Sequence, residues 1–146
     1  MGVSRGFTLL EVLVVLFLLG LAYALAAPVI GTGAASLELK SATRQLAAGL
    51  RKARGVAITS RQEAVLSLDV AGKKFAVTGE NKAYALPIRV ELSLFTAQAE
   101  QVQDQTGNIR FFPDGTSTGG RVTLSSGNAR NAVDVDWLTG KVSVTP

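Results

Sequence analysis

The sequence predicts an α+β protein with one long N-terminal helix followed by antiparallel β-sheet. Three observations support this fold class. An apolar segment opens the chain, and a helical repeat of apolar residues continues from it. After Arg61 the repeat shortens from three or four residues to two, which is the period of half-buried strands. Closely spaced turn residues then separate short strands, as in antiparallel meanders.

The apolar segment covers residues 7–30 and carries one charged side chain, Glu11. No charged residue occurs at all over residues 12–37. A helix over residues 7–30 would be about 36 Å long, against about 30 Å for the hydrocarbon core of a bilayer. The segment therefore predicts a transmembrane helix with one carboxylate near its start. Such an acid is normally paired, or lies close enough to the helix end to reach water.

Helical periodicity resumes after the Gly31-Thr32-Gly33 step and continues to about Ser60. Apolar residues at spacings of three and four form a stripe on one face, namely Leu39, Leu46, Leu50, Ala53 and Ala57. This stripe predicts packing against the β domain of the same chain, because it is too short for the sustained heptads of a coiled coil. Pro28 lies inside the predicted helix and is expected to bend it.

The β region is expected to contain short strands that end at turn residues. The predicted strands are Ala64–Val70, Phe75–Thr78, Ile88–Leu94, Ile109–Phe112, Arg121–Ser125, Val133–Trp137 and Val142–Thr145. The predicted turns are Ala71-Gly72-Lys73, Pro113-Asp114-Gly115, Gly119-Gly120, Gly127-Asn128 and Thr139-Gly140, and a polar loop is expected from Gln98 to Asn108. These elements predict antiparallel meanders, in up to two small sheets, packed on the second half of the helix.

Composition argues against several classes of function. The chain has 146 residues and a net charge of +4, with no histidine and no cysteine. It therefore lacks the usual general base, the commonest zinc ligand and any thiol chemistry. We expect no enzyme activity, no catalytic residue, no cofactor and no small-molecule substrate. Arg110, Arg121 and Arg130 are separated along the sequence, so no patch that tracks a nucleic-acid backbone is predicted.

A calcium-stabilised domain is a further hypothesis. Asp134 and Asp136 lie on one face of a predicted strand, and Asp69 and Asp104 could supply more of the oxygen ligands that calcium prefers. No loop has the dense ligand spacing of a calcium site. The sequence therefore favours solvated acids, and we expect no metal.

The hexapeptide Gly6-Phe7-Thr8-Leu9-Leu10-Glu11, at the start of a full apolar span, resembles the processing motif of type IV pilins and of the pseudopilins of type II secretion. The resemblance implies a leader peptide of residues 1–6, which a prepilin peptidase removes by cutting between Gly6 and Phe7. It also implies N-methylation of the new Phe7 amine and a role for Glu11 in subunit assembly. Pro28 matches the helix-bending proline that is common in this family.

An ordinary secretory signal is the alternative for this N-terminus. Ala24, Ala26 and Ala27 could imitate its cleavage site, and cutting there would release a soluble product. The segment before the apolar run is short, however, and Arg5 is its only basic side chain. The sequence therefore favours cleavage after Gly6, which leaves the apolar span attached to the domain.

Residues 109–124 resemble the C-terminal signature of the H-type minor pseudopilins (GspH) and of their relatives, the FimT-like minor pilins. The motif residues are Phe111, Phe112, Pro113, Asp114, Gly115, Gly119 and Gly120. They predict a hairpin in which one of the two phenylalanines points inward and Asp114-Gly115 forms the turn. The glycine pair would let the return strand approach closely. The motif could serve folding alone or bind a partner directly.

The resemblance implies a pilin-like fold and a structural role. An H-type pseudopilin is a minor subunit of the periplasmic pseudopilus, near the junction of tip and shaft, and supports export of folded proteins across the outer membrane. Its partners would be the prepilin peptidase, the major shaft subunit, the minor tip subunits and the inner membrane. We expect a single-pass inner-membrane protein with its C-terminal domain in the periplasm.

The implied organisation is a leader (1–6), a transmembrane assembly segment (7–30), an exported half of the helix (31–62) and a β domain (63–146). The alternative is a FimT-like minor pilin of a type IV pilus; some of these bind DNA through a basic C-terminal region. This chain ends Gly140-Lys141-Val142-Ser143-Val144-Thr145-Pro146, without a cluster of arginines. The sequence therefore favours the pseudopilin and predicts no nucleic-acid partner.

Overall fold

The computed structural model describes residues 6–96 and 106–146, without the side chains of residues 26–32. Helix α1 runs from Leu9 to Ser60, close to the predicted bounds. The helix is continuous through Pro28, and the bend expected there stays a prediction. Residues 1–5 of the predicted leader, residues 98–105 of the predicted polar loop and the calcium candidate Asp104 lie outside the described residues.

Eight strands follow α1 in the described ranges and form two antiparallel sheets. The strands are β1 (Ala64–Asp69), β2 (Lys74–Val77), β3 (Ala83–Ala85), β4 (Glu91–Phe95), β5 (Thr106–Phe111), β6 (Gly120–Ser126), β7 (Ala129–Val135) and β8 (Val142–Thr145). The first sheet has the order β3-β2-β1-β5, and the second has the order β4-β6-β7-β8. The predicted α+β fold with two small antiparallel sheets is confirmed, and β3 is the one described strand that the sequence did not predict.

Two compact units make up the chain, residues 1–34 and residues 35–146. In the second unit, the later half of α1 and both sheets enclose one core. All five residues of the predicted stripe, Leu39, Leu46, Leu50, Ala53 and Ala57, are fully buried there. The stripe thus packs within its own domain, which confirms the prediction. The predicted segments 31–62 and 63–146 consequently share a hydrophobic core.

The helix contacts each sheet through a different kind of residue. Gly49 lies so close to the first sheet that a Cβ atom added to it would sit 2.5 Å from Cε2 of Phe75. On the other side, the buried Thr43 hydroxyl accepts a hydrogen bond from Nδ2 of Asn131 on β7 at 3.1 Å. Close apolar packing on one side and a hydrogen bond on the other therefore help to hold α1 between the two sheets.

Candidate functional site

Thr8 precedes helix α1 and caps its N-terminus. Its Oγ1 accepts a hydrogen bond from the N–H of Glu11 at 3.3 Å, and its backbone oxygen accepts one from the N–H of Val12 at 3.2 Å. Thr-x-x-Glu is the capping-box pattern, which places an acid in the first helical turn, where the helix dipole favours negative charge. The residues predicted for this segment omit Thr8, although the Thr-x-x-Glu pattern is a local sequence signal.

The side chains around the predicted cleavage site are open to the surroundings. Phe7 is 82% exposed, and Gly6 and Glu11 are exposed as well. The large apolar side chains from Leu9 to Leu25 are also exposed along this unit. Within the part of the chain that the structure describes, no helix has both the length and the hydropathy that crossing a membrane requires.

The predicted hairpin is wrong in one respect: the return strand does not pair with β5. After Phe111, a tight turn is closed by the N–H of Phe112 donating to the oxygen of Thr116 at 2.9 Å, and a single antiparallel bridge joins Phe111 to Ser117. The chain then leaves the first sheet, and Gly120 begins β6 opposite Val135 in the second sheet. The motif is therefore a crossover between the two sheets.

The segment after the turn pairs with β5 only as far as Thr118. The N–H of Thr118 donates to the backbone oxygen of Arg110 at 3.0 Å, and the Ser117 hydroxyl donates to the same oxygen at 2.8 Å. The Thr118 hydroxyl accepts from the N–H of Arg110 at 3.1 Å, in place of the backbone oxygen that a continued ladder would supply. Gly119 then turns the chain with a positive φ of 73°, a conformation that side chains rarely adopt.

The turn itself is organised by Asp114. Its Oδ1 accepts hydrogen bonds from the hydroxyl of Thr116 at 2.6 Å and from the N–H of Thr116 at 3.0 Å. The bond from the hydroxyl, followed by that from the N–H, holds the pKa of Asp114 below its ordinary value. Of the two phenylalanines, Phe111 is fully buried and Phe112 is half-buried. The motif thus combines a core anchor with an ordered surface turn.

A second turn, residues 136–140, packs beside the first. The Asp136 Oδ1 accepts hydrogen bonds from the N–H groups of Leu138 and Thr139 at 3.0 Å and 2.8 Å, and from the Thr139 hydroxyl at 2.9 Å. The backbone bond from Thr139 is the main cause of the lowered pKa of Asp136, and the charge of Lys141 adds to it. The two turns meet where the N–H of Ser117 donates to the oxygen of Trp137 at 2.9 Å.

Arg54 of α1 joins both turns to the helix. Its Nε donates to the oxygen of Gly115 at 3.2 Å, and its Nη2 donates to the oxygen of Thr139 at 2.9 Å. Sequence reasoning missed this residue, because the two carbonyl groups lie 61 and 85 positions further along the chain. The Arg54 junction, defined as Arg54 with the turns that contain Gly115 and Thr139, brings Asp114, Gly115 and Gly119 together with the terminal turn.

The other candidate residues have ordinary structural partners. Arg110 forms an ion pair with Glu63, and Arg121 forms one with Asp134. Of the other aspartates considered for calcium, Asp136 accepts hydrogen bonds within its own turn and Asp69 pairs with Lys74, so Asp69, Asp134 and Asp136 have separate partners. Among the described residues, no group of three acidic side chains is placed to hold a metal ion. Arg110 and Arg121 thus form ion pairs within the domain.

Two family models match this chain, one over the β domain with the later part of α1 and one over the N-terminal segment. The family model described as "Type II transport protein GspH" matches residues 42–140, which include the Arg54 junction. The model described as "Prokaryotic N-terminal methylation motif" matches residues 1–27, which include Gly6, Phe7 and Glu11. A curated relative from Xanthomonas campestris pv. campestris, "Type II secretion system protein H", is 37% identical over 97% of this chain and 83% of its own length.

Solved structures show the same fold at low sequence identity. The type IV minor pilin FimU of Pseudomonas aeruginosa superposes with a TM-score of 0.60 at 14% identity, over 76% of this chain and 90% of FimU. The minor pseudopilin EpsH of Vibrio cholerae superposes with a TM-score of 0.59 at 12% identity, over 74% of this chain and 96% of EpsH. The family match favours the pseudopilin interpretation over the FimT-like alternative. By the two family models that it matches and its 37% identical relative, this chain belongs to the GspH family, the H-type minor pseudopilins of type II secretion.

Proposed function

We propose that this chain is anchored in the inner membrane by residues 7–30, is cut after Gly6 by the prepilin peptidase and is methylated on the Phe7 amine. The mature subunit then enters the periplasmic pseudopilus near the junction of tip and shaft, and supports export of folded proteins across the outer membrane. The observation that carries this proposal is the capped helix start, which places Glu11 in the first turn of α1 next to Phe7 and Thr8.

Cleavage after Gly6 creates a positive charge at an unfavourable place. The new α-amino group of Phe7 lies at the N-terminal end of α1, which already carries the positive end of the helix dipole. A carboxylate in the first turn offsets both charges. In apolar surroundings an unpaired carboxylate is expensive, so Glu11 has reason to bind the amine of a neighbouring subunit. This pair would set the axial register as the subunits pack.

The exposed apolar side chains of the first unit supply the driving force. The large residues from Leu9 to Leu25 are exposed in the single chain, and a continuous apolar surface of this kind marks contact with lipid or with other proteins. Before assembly, lipid would cover this surface. In the filament, the same face would pack against the helices of neighbouring subunits, with Glu11 and the Phe7 amine as the one charged contact.

The decisive experiment separates the charge of Glu11 from its place in the capping box. Glu11→Gln keeps a residue that suits the third helical position but removes the charge, whereas Thr8→Ala removes the cap and keeps the acid. We expect Glu11→Gln to be cleaved normally but to assemble poorly, because stranding the partner charge costs about 3–5 kcal/mol. Thr8→Ala should assemble nearly as well as the unaltered protein, since a lost cap costs about 1 kcal/mol.

Three measurements read this experiment. Mass spectrometry of the mature N-terminus shows whether the chain begins at a methylated Phe7, cross-linking reports assembly, and a secretion assay reports function. Glu38→Gln, which alters an acid of the same helix outside the apolar segment, is the matched control and should behave normally. Normal assembly of Glu11→Gln, or a functional protein that keeps Met1, would contradict the proposal.

The position at the junction of tip and shaft can be tested with cysteine cross-linking, since the chain has no cysteine of its own. A single cysteine at an exposed site such as Ile88, which is 85% exposed, can react only with neighbours in the filament. We expect a set of such variants to cross-link both to the major shaft subunit and to a minor tip subunit. Contacts with shaft subunits on every side would contradict the junction position.

A further inference from the structure

A basic cleft lies between the later part of α1 and the turn that leads into β8. It has a volume of about 460 Å³ and is lined by Arg51, Arg54, Thr139, Gly140, Lys141 and Val142. Three of these six residues are cationic, and none of the acidic residues in the described ranges 6–96 and 106–146 lines the cleft. Arg51 and Lys141 are exposed, and Arg54 is half-buried beneath the two turns that it joins.

The positive charge of the cleft is not neutralised by salt bridges within the described ranges. There the ion pairs are Lys52–Glu80, Lys74–Asp69, Arg110–Glu63 and Arg121–Asp134, and none of them involves a cation of the cleft. Two acids, Asp114 and Asp136, belong to the turns that Arg54 joins, and Oδ1 of each accepts hydrogen bonds within its own turn. Neither acid lines the cleft, so its three cations produce a positive potential there that attracts anions.

The guanidinium group of Arg54 also has hydrogen-bonding capacity to spare. Arginine carries five N–H donors, and the bonds to Gly115 and Thr139 use two of them. Because those two bonds fix the position of the side chain, binding through its remaining donors would require little further loss of side-chain freedom. A carboxylate is the anionic group in proteins that matches a guanidinium in charge and geometry.

Two exposed apolar side chains belong to the turn that lines one side of the cleft. Trp137 and Leu138 belong to the same turn as Thr139 and Gly140, and they are 65% and 60% exposed. Tryptophan and arginine are the residues most enriched at the energetic centres of protein interfaces. The combination of a cationic cleft with an aromatic and an aliphatic side chain beside it is typical of a docking surface for a protein segment.

We propose that the basic cleft binds an acidic segment of a protein partner, with carboxylates on Arg51, Arg54 and Lys141 and an apolar side chain against Trp137 and Leu138. The proposal rests on the proposed function in that a pseudopilus subunit has protein neighbours, and it adds the chemistry by which one neighbour is recognised. A nucleic acid fits less well, because the cations form one compact cluster, whereas binding a phosphate backbone requires a row of cations along a groove.

The single tryptophan of the chain provides the readout for a test. Trp137 lies in the turn that borders the cleft, so its fluorescence should change when the cleft is occupied. The full chain in a nonionic detergent is titrated with the peptide acetyl-Glu-Glu-Leu-Glu-Glu-amide at low salt. We expect saturable binding of this peptide and no binding of its counterpart acetyl-Gln-Gln-Leu-Gln-Gln-amide, because the glutamine peptide lacks the carboxylates.

Variants locate the binding site. Arg51→Glu and Lys141→Glu should each weaken peptide binding by about tenfold or more, because each reverses a charge that faces the peptide. Arg130→Glu reverses an exposed cation near the start of β7, and it should change the affinity less than about twofold. Arg54 is left unaltered in this test because it also holds the two turns in place.

Three results would overturn the inference. Equal binding of the glutamine peptide would show that charge is not recognised, and equal weakening by Arg130→Glu would show a diffuse effect of net charge. Tighter binding of a single-stranded oligonucleotide, lost in the same two variants, would make the partner class wrong. Peptide binding does not require filament assembly, so a Glu11→Gln protein should bind the peptide normally even if it fails to assemble. Failure of the inference and failure of the proposed function are therefore distinguishable.

Discussion

Arg54 and Thr139 are joined by a hydrogen bond of 2.9 Å between the guanidinium Nη2 and the backbone oxygen, across 85 positions of sequence. The same side chain reaches Gly115 in the family motif through its Nε. One arginine on the helix therefore fixes the position of the crossover turn and of the terminal turn. This links the residues that identify the family to the walls of the basic cleft.

Replacing Arg54 should destabilise the second unit. Arg54→Ala removes two charge-assisted hydrogen bonds and leaves the oxygen of Gly115 without its partner, so we expect a loss of about 2–4 kcal/mol. Arg54→Lys can reach only one of the two carbonyl groups well and should lose about half as much. Urea unfolding of the full chain in detergent, followed by Trp137 fluorescence, measures both. Arg51→Ala, one turn earlier on the helix, should stay within about 0.5 kcal/mol of the unaltered protein.

Gly140 and Gly127 form a matched pair that separates two costs of an alanine substitution, namely the steric clash of the added methyl group and the strain of a positive φ angle. Their φ angles are nearly equal, at 62° and 60°, so alanine carries the same backbone strain at either site. A Cβ atom at Gly140 would overlap the oxygen of Gly115 and lie 2.8 Å from Nε of Arg54, whereas one at Gly127 would meet open space. We expect Gly127→Ala to cost about 1–2 kcal/mol and Gly140→Ala to cost at least about 1 kcal/mol more. Equal losses of unfolding free energy in the two variants, measured in urea, would show that the Arg54 junction accommodates the added methyl group and would contradict this packing.

Gly49 and Gly55 give a second matched pair, here within helix α1. Alanine favours a helix over glycine by about 1 kcal/mol, so Gly55→Ala, where the added methyl meets open space, should raise the unfolding free energy. At Gly49 the methyl would lie 2.5 Å from the Phe75 ring and 3.3 Å from Cδ1 of Leu66. We therefore expect Gly49→Ala to lower stability by about 1–3 kcal/mol. Circular dichroism at increasing temperature would show opposite shifts in melting temperature, and shifts of the same sign would contradict this packing.

Local and periodic features of the fold were predictable from the sequence. The bounds of α1 and the burial of its stripe follow from apolar residues spaced three and four positions apart, among them Leu39, Leu46 and Leu50. Strand β3 escaped prediction because Ala83–Ala85 has only three residues, Ala-Tyr-Ala, which is too short to show an alternation of apolar and polar residues. Its place in the sheet comes from pairing with β2, and Tyr84 stacks on Phe75 with ring centroids 5.2 Å apart.

Long-range contacts account for what the sequence did not reveal. The turn residues Asp114 and Gly115 were predictable, but the sheet that the next strand joins was not. Pairing with β5 ends at Thr118, and the chain then joins the second sheet as β6, a long-range choice that strand propensity does not encode. For the same reason no local sequence signal pointed to Arg54, whose two partners are distant in the sequence. The N-terminal candidates Gly6, Phe7 and Glu11 were found because their motif is local.

Acid should loosen the two turns of the Arg54 junction. The pKa values of Asp114 and Asp136 are lowered by hydrogen bonds from Thr116 and Thr139, so the folded state favours both carboxylates. Their stabilising contribution is full above the ordinary value of 3.8 and is lost as pH falls through the lowered folded pKa. We expect Asp114→Asn and Asp136→Asn each to have a lower free energy of unfolding at neutral pH. Because each variant lacks one titrating carboxylate, the slope of its unfolding free energy against pH should be smaller, by the equivalent of up to about one proton. Urea unfolding between about pH 2 and pH 6 measures this, with Glu91→Gln as control; slopes equal to that control would contradict the assignment.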